Sequence, residues 1–149
     1  MMKYEWRKQE KEFYLPKEKP VSIVVPKMKF FMLDGKGNPN SDTFAEAIQV
    51  LYSLSYTIKM IPKMGITPEG YFDYTVFPLE GIWDLSEEGR LMDTLDKDEL
   101  IYTIMIRQPD FVTEELAQKK RLKSQKRKNL MFYSKVLDLA AWKMATVFK

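Results

Sequence analysis

Residues 28–60 read MKFFMLDGKGNPNSDTFAEAIQVLYSLSYTIKM, and the change of period inside this stretch decides the fold. Met28, Phe30 and Met32 alternate with Lys27, Lys29 and Phe31, the two-residue period of a strand. The run ends in Asp34-Gly35-Lys36-Gly37, a glycine turn. Asn38-Pro39-Asn40-Ser41 follows as a loop, and Ser41 or Asn40 can accept a hydrogen bond from the first free amides of a helix. Then Phe44, Ile48, Leu51, Tyr52, Ser55 and Ile58 recur at spacings of three and four. That spacing predicts a long amphipathic helix over residues 42–60, stopped by Pro62. The glycines before the helix lack the spacing, followed by lysine and hydroxyl, that cradles a phosphate, so a turn is the reading.

Upstream, residues 1–20 mix both charge signs with aromatics and read as a charged leader. Residues 21–25, VSIVV, have strand composition, and Pro26 places them at an edge or a break. Downstream, residues 71–77, YFDYTVF, are aromatic and β-branched and are predicted as a strand. Residues 84–98 are polar and mostly acidic, an exposed connection with room for one helical turn. Residues 100–106, LIYTIMI, are a further strand. Thr113 is placed to cap a second helix, with Glu114 and Glu115 in its first turn where the helix dipole favours acids. The order strand, helix, strand, strand, helix predicts the α+β class: an antiparallel sheet with helices on one face. A length of 149 residues predicts one domain, divided as a leader (1–20), a first module (21–110) and a helix with a divergent tail (111–149).

Composition removes several kinds of chemistry. The chain has no cysteine and no histidine, so disulfides, thiolate metal sites, the usual general base and the usual zinc ligand are excluded. No cofactor, no metal site and no catalytic residue is predicted. The N-terminus lacks a secretory signal pattern, and no run of about 18 apolar residues is present, so the expected location is cytoplasmic with no membrane partner. A net charge of +3 does not argue for nucleic acid. Seven cations stand in residues 119–128, but no aromatics interleave them, and a solvated basic face is the reading. The tail after Lys128 is apolar at helical spacing, including Phe132, Val136, Leu139, Trp142 and Val147. Such a stripe needs a cover, and a homodimer through the tail is one way to supply it.

The candidate site rests on aromatic side chains. Tyr56 lies on the long helix, Tyr71 and Tyr74 on the segment after it, Trp83 beyond that segment, and Tyr102 in the last strand. Ring faces attract planar and cationic molecules. Asp73 and Glu80 flank the aromatic segment, and a carboxylate such as Glu80 can pair with a cationic guest. The same residue types also fill ordinary cores or cap turns, and for Tyr52 core packing is the reading.

Four strings in register, MKFFMLDGKGNPNSDTFAEAI, LYSLSYTIKM, GYFDYTVFPLEGIWD and LIYTIMIRQPDFVTEE, resemble the GyrI-like small-molecule-binding proteins over residues 4–128. The resemblance implies a strand-helix-strand-strand module, normally paired with a second such module around a pocket. It also implies binding of apolar or cationic organic molecules, as in effector-binding domains of multidrug-responsive activators. Two alternatives come with the family: hydrolysis of electrophilic small-molecule toxins, and protein interaction as in gyrase inhibitors. The second module, with its histidine-bearing turn, has no counterpart in residues 111–149, which leaves the module pair incomplete.

Overall fold

The computed structural model describes residues 2–123 and 130–133, with side chains described through residue 120. Two short helical turns, α1 (Trp6–Gln9) and α2 (Lys11–Tyr14), precede β1 (Lys29–Lys36). The long helix α3 (Asp42–Lys59) follows, then β2 (Leu79–Leu85), the single turn α4 (Glu87–Arg90), β3 (Leu100–Gln108), α5 (Glu114–Lys123) and β4 (Leu130–Tyr133). The strands form one sheet in the order β2-β3-β1-β4, and every pairing is antiparallel. This is the α+β architecture that the change of period implied.

Local chemistry accounts for the main elements. Ser41 stands in extended backbone before α3, and its Oγ accepts from the Phe44 amide at 3.2 Å. Gly37 takes φ 130°, which a side chain would strain, and its amide donates to the Leu100 carbonyl at 2.8 Å, tying the turn to β3. Thr113 Oγ1 accepts from the Leu116 amide at 3.2 Å, so α5 starts where the cap residue placed it.

Strand parity sorts the sheet into two faces. Phe31 and Leu33 of β1 align with Ile106 and Ile104 of β3 and face Ala47, Leu51, Leu54 and Ile58 of α3. On the other face Phe30, Met32 and Met105 form a second, smaller buried cluster with Met28 and Ile82 beside it. Within the main core, Gln108 Nε2 donates to Ser55 Oγ at 3.1 Å, and Ser55 Oγ donates to the Leu51 carbonyl at 2.8 Å.

Two expectations need correction. Residues 21–25 form no strand: Pro20 and Pro26 bound them without amide donors, and Val21, Ile23 and Val24 are exposed. Residues 71–77 are not a strand either, apart from a single bridge between Tyr74 and Tyr4. Their rings turn inward against Phe111 and each other, which a flat ladder would prevent, and the strand begins later, at Leu79. The charged leader, with its two helical turns, forms a strap along the core. Tyr4 exchanges backbone bonds with Asp73 and Thr75 at 2.8 Å each, and Trp6 Nε1 donates to the Val76 carbonyl at 3.0 Å. Arg107 Nη1 pairs with Glu10 at 2.7 Å, both side chains 14% exposed, and donates to the Tyr14 hydroxyl at 3.2 Å.

The acidic connection behaves as read, with Ser86 capping the one turn of α4. Of the basic run, Lys119 is exposed and pairs with Glu115 at 3.3 Å, whereas Lys120 is buried. The rest of that run's side chains lie outside the described residues, and of the apolar tail only 130–133 is described, where β4 pairs with β1 instead of continuing a helix; the dimer expectation concerns residues beyond it. Among the described residues no helix is long and apolar enough to cross a membrane.

Candidate functional site

The glycine-turn end of the sheet assembles an aromatic wall. Gly35, Tyr102 and Trp83 stand opposite one another across β1, β3 and β2, on the face that carries α3. A Cβ at position 35 would come within 2.3 Å of the Tyr102 hydroxyl and 2.4 Å of its ring, so only glycine lets that side chain lie across β1. Gly81 plays a similar part for Trp83: a Cβ there would approach the indole Nε1 to 3.1 Å. Trp83 and Tyr102 rings sit 5.0 Å apart at 44°. Phe44, from the first turn of α3, meets Tyr102 edge-on at 5.1 Å and Trp83 at 5.3 Å. Tyr102 is buried, and burial raises its hydroxyl pKa, while Phe44 and Trp83 remain half-buried. Among the described residues neither Trp83 Nε1 nor the Tyr102 hydroxyl has a hydrogen-bond partner. The wall therefore offers apolar ring surface together with two available polar atoms.

The same end carries, mostly on the opposite sheet face, an open depression of about 290 Å³ lined by Asp34, Gly35, Ile82, Asp84, Ile101, Tyr102 and Thr103. Asp34 accepts from Thr103 Oγ1, its register partner, and Asp84 pairs with Arg90 at 2.6 Å. Beyond it, Glu99 accepts from Ser86 Oγ and pairs with Lys36 at 2.9 Å. The Ser86 hydroxyl, then the lysine, hold the Glu99 carboxyl below its ordinary range, and Glu99 in turn raises Lys36. Among the described residues no group of three or more acidic side chains is placed to hold a metal ion.

Of the six residues singled out in the sequence, only Trp83 and Tyr102 come together here. Tyr74 is 1% exposed, packed among Phe72, Phe77 and Phe111, and its hydroxyl is unpartnered. Burial drives its pKa well above the ordinary phenol value. Tyr71 packs 5.0 Å from Phe111 and donates to the Lys59 carbonyl at 3.0 Å. Tyr56 points outward from α3, 48% exposed. Glu80 stands opposite Met105, so it lies on the sheet face away from Trp83 and Tyr102. Sequence reasoning missed Phe44 as a site residue, along with Gly35 and Gly81. The signal was available, because glycine inside a strand marks a close approach and Phe44 opens the helix just beyond the turn.

This geometry defines a class: an α+β protein with an aromatic wall at one end of an antiparallel sheet. No family model matches the chain, and no curated protein matches it. Solved structures do, three from Listeria innocua among them. One, described as an uncharacterized conserved protein, is 41% identical over 88% of this chain and 66% of its own, with a TM-score of 0.75. A second, described as a hydrolase, is 42% identical over 89% of this chain and 66% of its own, again at 0.75. A third, also described as a hydrolase, is 38% identical over 88% of this chain and 67% of its own, at 0.73. The chain belongs to the family of these Listeria innocua proteins, and it spans about two thirds of their length.

Proposed function

We propose that this chain is a GyrI-like binding module that takes an apolar or cationic small organic molecule against Phe44, Trp83 and Tyr102. The observation that carries the reading is Trp83: a large ring, half-buried, packed at a tilt against Tyr102 and with its Nε1 unbonded among the described residues. A core position would normally bury such a ring and satisfy its N–H. A planar or cationic guest gains contact with the ring faces and an acceptor on the guest can meet the indole N–H.

Titration calorimetry with tetraphenylphosphonium, an aromatic cation, tests the reading. Binding is expected, and Trp83→Ala should weaken it about tenfold, or about 1.4 kcal/mol. Unchanged affinity in Trp83→Ala would place the guest elsewhere.

A second reading, hydrolysis of an electrophilic small molecule, is favoured by one observation: two of the three relatives are described as hydrolases. Product formation from a small electrophile incubated with the chain, absent without it, would support this reading over simple binding.

A further inference from the structure

The most exposed apolar run among the described residues is not at the aromatic wall. Between α2 and β1 the chain carries Val21-Ser22-Ile23-Val24-Val25, with Val21 70% exposed, Ile23 41% and Val24 91%. β-Branched side chains favour pleated, half-buried surfaces, so a run of this kind left in water is a strand without a neighbour. Pro20 and Pro26 lack amide hydrogens and set its two ends.

An edge of matching length is present on the same chain. β2 ends the sheet, with β3 on one side and, among the described residues, no strand on the other. Alternate residues of such an edge direct N–H and C=O groups outward, ready to accept another strand. Its seven residues accommodate the five of the exposed run.

Charge supplies the third argument. Residues 84–99, which leave the C-terminal end of β2, hold seven acids against two bases, although the whole chain has a net charge of +3. Lys17 and Lys19, with Glu18 between them, precede the exposed run, and Lys27 and Lys29 follow it. Both ends of the run therefore carry cations that can meet the acidic connection beside β2.

We propose that residues 21–25 of one copy add to the β2 edge of a second copy of this chain. Strand addition buries Val21, Ile23 and Val24 and completes an edge that would otherwise be open. The contact is heterologous, so two chains can exchange their runs reciprocally or extend into larger assemblies. This surface is independent of the aromatic wall, because Trp83 faces α3 while the edge presents backbone.

Sedimentation of the full chain over a range of concentrations is the test, together with cross-linking. The parent should associate reversibly and dissociate as salt rises. Val24→Asp changes a side chain that is almost fully exposed in the single chain, so folding should be unaffected, and it should raise the dissociation constant at least tenfold. The chain has no cysteine, so Val24→Cys and Ile82→Cys variants can be mixed with a short bismaleimide. The mixed Val24–Ile82 product should exceed either same-site product. A parent that stays monomeric, a Val24→Asp variant that associates as the parent does, or cross-linking confined to same-site pairs would each overturn the proposal.

Discussion

Two groups of rings occupy opposite ends of this sheet, and they have different fates. At one end Tyr4, Tyr14, Phe72, Tyr74, Phe77 and Phe111 interlock at centroid distances of 5.6–6.4 Å. At the other, Phe44, Trp83 and Tyr102 meet tilted or edge-on at 5.0–5.3 Å, and two of the three are half-buried, against two of six, Tyr4 and Phe72, at the first end. Residue type does not separate the groups; closure does. The first is sealed by the N-terminal strap, whose Trp6 donates to Val76 and whose Glu10 meets Arg107. The second has two glycines that make room for its large rings and, among the described residues, no strap over them. The first group holds the fold, and the second is the proposed place for a guest.

Substitutions that break this contrast should rank accordingly. Tyr74→Ala empties a site at 1% exposure and should cost about 3–4 kcal/mol in urea unfolding. The same series should show Tyr74→Phe as neutral or slightly stabilising, because it removes a buried hydroxyl with no partner. Arg107→Met leaves the half-sealed Glu10 without its cation and removes the guanidinium stacked 4.6 Å over Phe77. A loss of about 2–3 kcal/mol is expected, seen as a shifted denaturant midpoint. Gly35→Ala forces the Tyr102 ring from its place, which should cost about 1–3 kcal/mol and also weaken tetraphenylphosphonium binding. A Gly35→Ala protein that loses stability but binds as the parent does would detach Tyr102 from the guest.

Alkaline pH tests the sealed end by another route. Burial pushes the hydroxyls of Tyr4 and Tyr14 up to about 12 from 10.0. The unfolded chain therefore gives up these protons first, and stability should hold up to pH 10 and fall between about 10 and 12. Tyr14→Phe should flatten that slope. The smallest effect belongs to Tyr56→Ala, on an exposed helix face, which should change stability by less than about 0.5 kcal/mol and leave binding unaltered.

Much of this was readable in the sequence. α3 carries a clean helical period, β1 and β3 are apolar runs bounded by turn residues, and the caps at Ser41 and Thr113 fixed two helix starts. The segment 71–77 misled because aromatic density marks burial as strongly as it marks strands. Residues 21–25 misled because composition reports what a strand wants, not whether a neighbour exists. The site was half legible: Trp83 and Tyr102 belong together, but Tyr74 was grouped with them on residue type alone. Glu80 and Trp83 differ by three positions in one strand, so parity already separates their faces once the strand is known to begin at Leu79.

The most direct check is a paired binding isotherm for tetraphenylphosphonium on the parent and on Trp83→Ala, with the fold of both confirmed by circular dichroism. Saturable binding to the parent, weakened about tenfold in the variant, is the expected result. No binding to the parent, or equal affinity in both proteins, would contradict the claim that the unsealed rings receive a guest.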